Sequence, residues 1–126
     1  MILTTLQTKK EIEQLTQSLM QYTAVLEKKF NDTTIKPENT SDFFNYVKTE
    51  TEPIFALVKK WEALLAEEST NRKMIIPENI ILSTNDNMTA LIMHSFYKDV
   101  RRRRYMEIKR SCLYTYQSVL KELDDE

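Results

Sequence analysis

The chain contains no glycine. Glycine supplies the positive φ angles of tight hairpin turns and lets a backbone close upon a phosphate group. Its absence, with only three prolines, argues against a sheet built from hairpins. It also removes the glycine-rich loops of the standard nucleotide-binding folds. Order in such a chain has to come from side-chain periodicity, and the periodicity here is helical.

The clearest period is Phe44, Val47, Thr51, Ile54, Val58, Trp61 and Leu65, an unbroken alternation of three and four. Ser41 stands where an N-cap is expected. Pro53 lies inside the run and costs ~3 kcal/mol in a regular helix. Because the phase continues across it, one helix kinked at Pro53 is expected, in preference to a new helix with Pro53 in its first turn.

Before it, Ile12, Leu15, Leu19, Tyr22, Leu26 and Phe30 predict a first helix over residues 5–30, with Thr8 and Glu11 at capping-box spacing. Residues 31–40 are polar, contain Pro37 and read as a loop. Residues 67–76 read as a second connection, with Met74, Ile75 and Ile76 against the bundle. Pro77 then suits the first turn of a third helix carrying Ile81, Thr84, Met88, Leu91 and Ser95. The weakly helical residues 83–87 leave open a start as late as Asp86.

The third helix is expected to end near Tyr97, with Asp99 capping a fourth that carries Tyr105, Ile108, Cys112, Tyr116, Val119 and Leu123. No glycine or proline marks this corner, so a continuous helix through residues 94–104 is the alternative. The expectation is an all-α chain, a four-helix up-and-down bundle forming one domain over residues 1–126. With 41% hydrophobic and 29% charged residues, the composition is that of a globular protein and not of a disordered one.

The N-terminus turns polar at Thr4, so it holds no apolar stretch of signal-peptide length, and no run is long enough to span a membrane. The single cysteine forms no intrachain disulfide. These features predict a cytoplasmic protein with no membrane partner and no cofactor.

Val58 to Trp61 at the end of the second helix, then Asn87, Met88, Leu91, His94, Ser95, Phe96 and Tyr97 follow in a recognisable order. With Arg103, Arg104, Tyr105, Ser111, Tyr114, Thr115 and Tyr116 after them, the pattern resembles the YppE-like family of small bacterial proteins. The resemblance implies a four-helix bundle from a low-GC Gram-positive type of bacterium. It brings no established active-site residues with it.

The best candidate surface is the run Arg101, Arg102, Arg103 and Arg104. Residues 94–110 hold seven lysines and arginines against two carboxylates, while the rest of the chain holds eleven against seventeen. The body is therefore acidic and one segment basic, a polarity that can steer an anionic partner. Arginines at a helix start oppose the helix dipole by ~0.3–1 kcal/mol each. The plain reading is that carboxylates such as Glu50, Glu52 or Glu107 offset them. The functional reading is a site for an acidic protein or another anionic macromolecule, with Tyr97 and Tyr105 giving apolar contact. Nucleic-acid backbone binding through the same arginines is a narrower version of it.

A second candidate is a pocket formed by Asn87, His94 and Trp61 between the second and third helices. It would make the protein a small-ligand-binding or enzymatic bundle. The plain reading of His94 is a hydrogen-bonded structural residue. One histidine cannot supply the paired Glu-x-x-His motifs of a di-metal bundle, so no metal site is expected. Cys112 reads as a buried, inert thiol, and Ser111 has no evident base. No nucleophile–base pair appears, so the residues point to no particular reaction. Phe43, Met20 and Ile92 leave a homodimer face open.

Overall fold

A computed structural model describes residues 2–72 and 76–124. They form four helices: α1 (Ile2–Asn31), α2 (Ser41–Arg72), α3 (Glu78–Tyr97) and α4 (Arg102–Asp124). Cross-helix contacts establish the direction of each neighbour. Thr16 meets Trp61 and Lys29 meets Glu50, so α2 runs against α1. Thr84 meets Thr115 and Ser95 meets Tyr105, so α4 runs against α3. Phe43 and Tyr46 meet Tyr97 and Phe96 in the same antiparallel sense. The result is the expected all-α, four-helix up-and-down bundle.

The core consists of the predicted stripes turned inward. Val47, Ile54, Val58, Trp61 and Leu65 from α2 are buried with Ile12, Leu19 and Leu26 from α1. Met88, Leu91, Ile92 and Phe96 from α3 join Tyr105, Ile108, Cys112, Tyr116, Val119 and Leu123 from α4. Each fully buried aliphatic or aromatic side chain contributes roughly 1.5–3 kcal/mol. Helix α1 packs closely against α3 across one diagonal. Among the described residues α2 and α4 make no close backbone approach across the other. That wider diagonal is filled by the rings of Trp61 and Tyr116, edge to face at 5.2 Å.

The ends of the helices differ from the reading above in physically simple ways. Helix α1 begins at Ile2, ahead of the proposed Thr8 capping box. Thr40, not Ser41, caps α2: its Oγ1 accepts the N–H of Phe43 at 3.1 Å and its carbonyl that of Phe44. Helix α2 passes through Pro53 as one helix. Pro53 and Thr49, whose carbonyl loses its helical donor, are both exposed, so solvent can satisfy that carbonyl. The same helix continues to Arg72, through residues 67–72 of the predicted connection, and Glu68 is buried on its inward side.

Pro77 sits at the N-cap of α3, one position before its first turn, and its carbonyl accepts from Ile80 and Ile81. Helix α3 therefore starts at Glu78 and not at Asp86. Ile76 packs on the core, whereas Met74 and Ile75 lie outside the described residues. Phe44, expected in the stripe, is 60% exposed, and Ile92, offered for a dimer face, is fully buried.

Candidate functional site

Between α3 and α4 the chain turns in four residues without glycine. Lys98 adopts the left-handed conformation, φ 55°, and donates its backbone N–H to the His94 carbonyl at 2.8 Å. A Cβ makes this conformation costly by about 1–2 kcal/mol. A tertiary bond holds it, from Lys98 Nζ to the Asp32 carbonyl just beyond α1. The corner is therefore a true break, and the continuous helix through residues 94–104 does not form.

Asp99 does not cap α4. The first helical bond goes from the Tyr105 N–H to the Arg101 carbonyl, 3.0 Å, making Arg101 the capping position. The Asp99 carboxylate lies instead 2.6 Å from His94 Nδ1. That bond holds the Asp99 carboxyl below its ordinary value.

The four arginines divide into two groups. Arg102 reaches back to α1, bonding Asn31 Oδ1 and lying 3.6 Å from Glu27. Glu27 also takes the ammonium of Lys109, and chiefly that bond holds its carboxyl below the usual range despite partial burial. Arg103 and Arg104 share one carboxylate, Glu107, at 3.7 and 3.6 Å, and their side chains are 92% and 62% exposed. Arg101 is exposed and has no charged partner among the described residues. Glu50 pairs with Lys29 at 3.2 Å. Burial opposes the charge on Lys29, but its bonds to Tyr46 and Glu50 outweigh that and raise its pKa.

The two flanking tyrosines part company as well. Tyr97 is half-buried, its ring meeting Phe43 at 5.4 Å and 84°. Tyr105 is fully buried, which corrects its placement on the surface. It stacks on Phe30 at 4.0 Å and shares a 2.6 Å hydrogen bond with Ser95. Burial pushes its phenol up to about 12. On α4 it lies three residues before Ile108 and seven before Cys112, on the core face, while the arginines before it point outward.

Asn87, His94 and Trp61 do not converge on a pocket. Trp61 is fully buried and donates Nε1–H to Thr16 at 2.9 Å, toward α1. Asn87 donates to Ser111 on α4. His94, 24% exposed, faces Asp99. A cleft of about 470 Å³ does separate α2 from α3, lined by Ala63, Ala66, Ile81 and Leu82 between Glu62 and Glu78. His94 lies twelve residues beyond Leu82, about 18 Å along the helix, and so at the other end.

Cys112 is buried, and desolvation pushes its thiol up to about 12. No group of three metal-ligating side chains occurs among the described residues. No helix among them is long and apolar enough to cross a membrane.

The geometry is that of a small four-helix bundle, and comparison with known proteins agrees on that fold. The bacterial domain of unknown function DUF1798 matches residues 16–123. The chain belongs to this family. The uncharacterized protein YppE of Bacillus subtilis (strain 168) is 28% identical over 86 residues, which is 68% of this chain and 70% of that protein. The crystal structure of protein yppE from Bacillus subtilis matches 92% of this chain and 94% of its own with a TM-score of 0.78. At 19% identity that match shows the shared fold.

Within this DUF1798 bundle one contributor to the arginine corner escaped sequence reasoning. Glu27 anchors Arg102 from seventy-five residues away, and nothing local to either residue signals the pairing. Phe44 was read as core, because a period shows which face a residue shares and not whether a neighbouring helix reaches that far along it.

Proposed function

We propose that this protein is a non-enzymatic interaction or regulatory bundle that binds an acidic protein through Arg101, Arg103 and Arg104. One observation carries the reading: at the start of α4 the exposed Arg103 and Arg104 share a single carboxylate at more than 3.5 Å, and the exposed Arg101 before them has no charged partner among the described residues. They also face the positive end of the helix dipole, so their local environment is unfavourable, and an acidic surface would relieve it. Arg102 serves as the anchor that ties this turn to α1. The attraction is electrostatic at long range, so association is fast at low salt and slows as salt rises.

The test is affinity capture from lysate of a native source at low and high salt, with and without nuclease. Wild type is compared with the triple variant Arg101→Gln, Arg103→Gln, Arg104→Gln, and circular dichroism checks that helicity is unchanged. A nuclease-resistant protein, retained by wild type and lost by the triple variant, is the expected result. Equal retention by a folded variant would refute the proposal, and nuclease-sensitive capture would transfer the site to nucleic acid.

A further inference from the structure

We infer that the partner segment is an acidic peptide carrying an apolar anchor, which seats on Phe44 while its carboxylates meet Arg101, Arg103 and Arg104. The inference rests on the interaction reading and extends its surface across the end of the bundle.

Helices α2 and α4 both begin at this end. Around it the rings are continuous: Phe43 meets Tyr97 at 5.4 Å and Tyr46 at 6.0 Å, and Tyr46 meets Phe96 at 5.8 Å. Lys98 and Arg101 follow Tyr97 directly in the corner that leads to α4. Neighbouring helices lie about 8–10 Å apart and α1 packs against α3 at the same kind of distance, so the starts of α2 and α4 across the wider diagonal are separated by roughly 16 Å. An extended segment of about five residues spans that distance. One short peptide can therefore touch Phe44 and the arginines together.

The pattern of charges, more than the state of the rings, favours protein over nucleic acid at this end. Base stacking needs an open aromatic face. Tyr105 has given its face to Phe30, and Phe43 and Tyr97 meet each other edge to face. Lys29 Nζ lies over the Tyr46 ring at 5.9 Å. Carboxylates are also interspersed with the cations, Asp99 and Glu107 at the corner and Asp42 in the first turn of α2, which disfavours a uniform polyphosphate. Phe44, 60% exposed and without a ring partner, remains as apolar surface. A single exposed phenylalanine is unremarkable alone. At the same end of the bundle as three under-neutralised arginines it adds apolar contact to charge complementarity, the chemistry of an acidic amphipathic segment.

The experiment uses the full chain and three fluorescent probes of equal net charge: a peptide alternating glutamate with leucine, a peptide of glutamate alone, and a single-stranded oligonucleotide. Anisotropy titrations at low and moderate salt compare wild type, Phe44→Ser and the triple arginine variant. Phe44→Ser alters an exposed residue and should leave helicity intact. The Glu–Leu peptide should bind wild type most tightly, and Phe44→Ser should weaken it about tenfold with little change in salt dependence. The triple variant should abolish binding of both peptides. If the two peptides bind alike and Phe44→Ser changes nothing while the arginine variant still fails, the anchor is refuted and the acidic-partner reading stands. If the arginine variant binds as wild type does, both are refuted. Tightest binding of the oligonucleotide overturns both in favour of nucleic acid.

Discussion

Two buried tyrosines on α4 should respond oppositely to the same one-atom deletion. Tyr116 lies wholly within the core against Trp61, and its hydroxyl has no hydrogen-bond partner among the described residues. Leaving a buried hydroxyl unpaired costs about 1–3 kcal/mol. Tyr116→Phe removes that cost and loses only a few contacts of ~0.1–0.2 kcal/mol each. The expected change is a gain of about 1 kcal/mol, or about 4 °C in Tm for a chain of this size. Tyr105→Phe breaks the 2.6 Å bond to Ser95, although Ser95 keeps its bond to the Leu91 carbonyl. It should lose about 1 kcal/mol. Urea denaturation followed by circular dichroism measures both. A loss in Tyr116→Phe comparable to that in Tyr105→Phe would refute the reasoning, because it would show that the Tyr116 hydroxyl is satisfied, for instance by a buried water.

Glu27→Gln should cost about 1–2 kcal/mol near neutral pH, since it leaves largely buried Lys109 without its carboxylate. The Glu27 carboxyl is held below its ordinary value, so its contribution is complete above the unfolded-state pKa and disappears as pH falls through the lowered one. Denaturation midpoints followed into acid should therefore fall less steeply in Glu27→Gln than in wild type; parallel curves would contradict the assignment. Trp61→Phe should lose about 2–4 kcal/mol through the lost bond to Thr16 and the void beside Tyr116, read as a lower urea midpoint at unchanged slope. Lys98→Val should lose at least about 1–2 kcal/mol, because a β-branched side chain tolerates φ 55° poorly. Lys98→Asn should lose less, and equal losses would mean that the bond to the Asp32 carbonyl, not the backbone angle, dominates.

Most helix positions were readable from spacing alone, and the failures cluster at helix ends. The stripe from Val47 to Leu65 is buried as its period required, and so is the α4 stripe from Tyr105 to Leu123. Asp99 and Ser41 are good caps by residue type but do not cap, because each has a competitor. His94 takes the carboxylate of Asp99, and Thr40 already sits one residue before Ser41. Tyr105 was readable from its own helix, where spacing to Ile108 and Cys112 places it inside. Adjacency to the arginines in sequence suggested the surface, but on a helix consecutive residues point about 100° apart.

The sequence by itself determined the class of fold. With no glycine for hairpins and four apolar stripes at helical period, burying those stripes together is the economical way to remove them from water. It also determined that positive charge is concentrated beside the last turn. What only the tertiary structure decided is which charges remain available. Arg102 is tied to α1 by Asn31 and Glu27, residues that reach it only after α1 and α4 pack antiparallel. Arg101, Arg103 and Arg104 stay outside because no element among the described residues folds over them. Charge density is a property of the chain, but the neutralisation of each charge depends on distance, and distances between remote residues are set by packing.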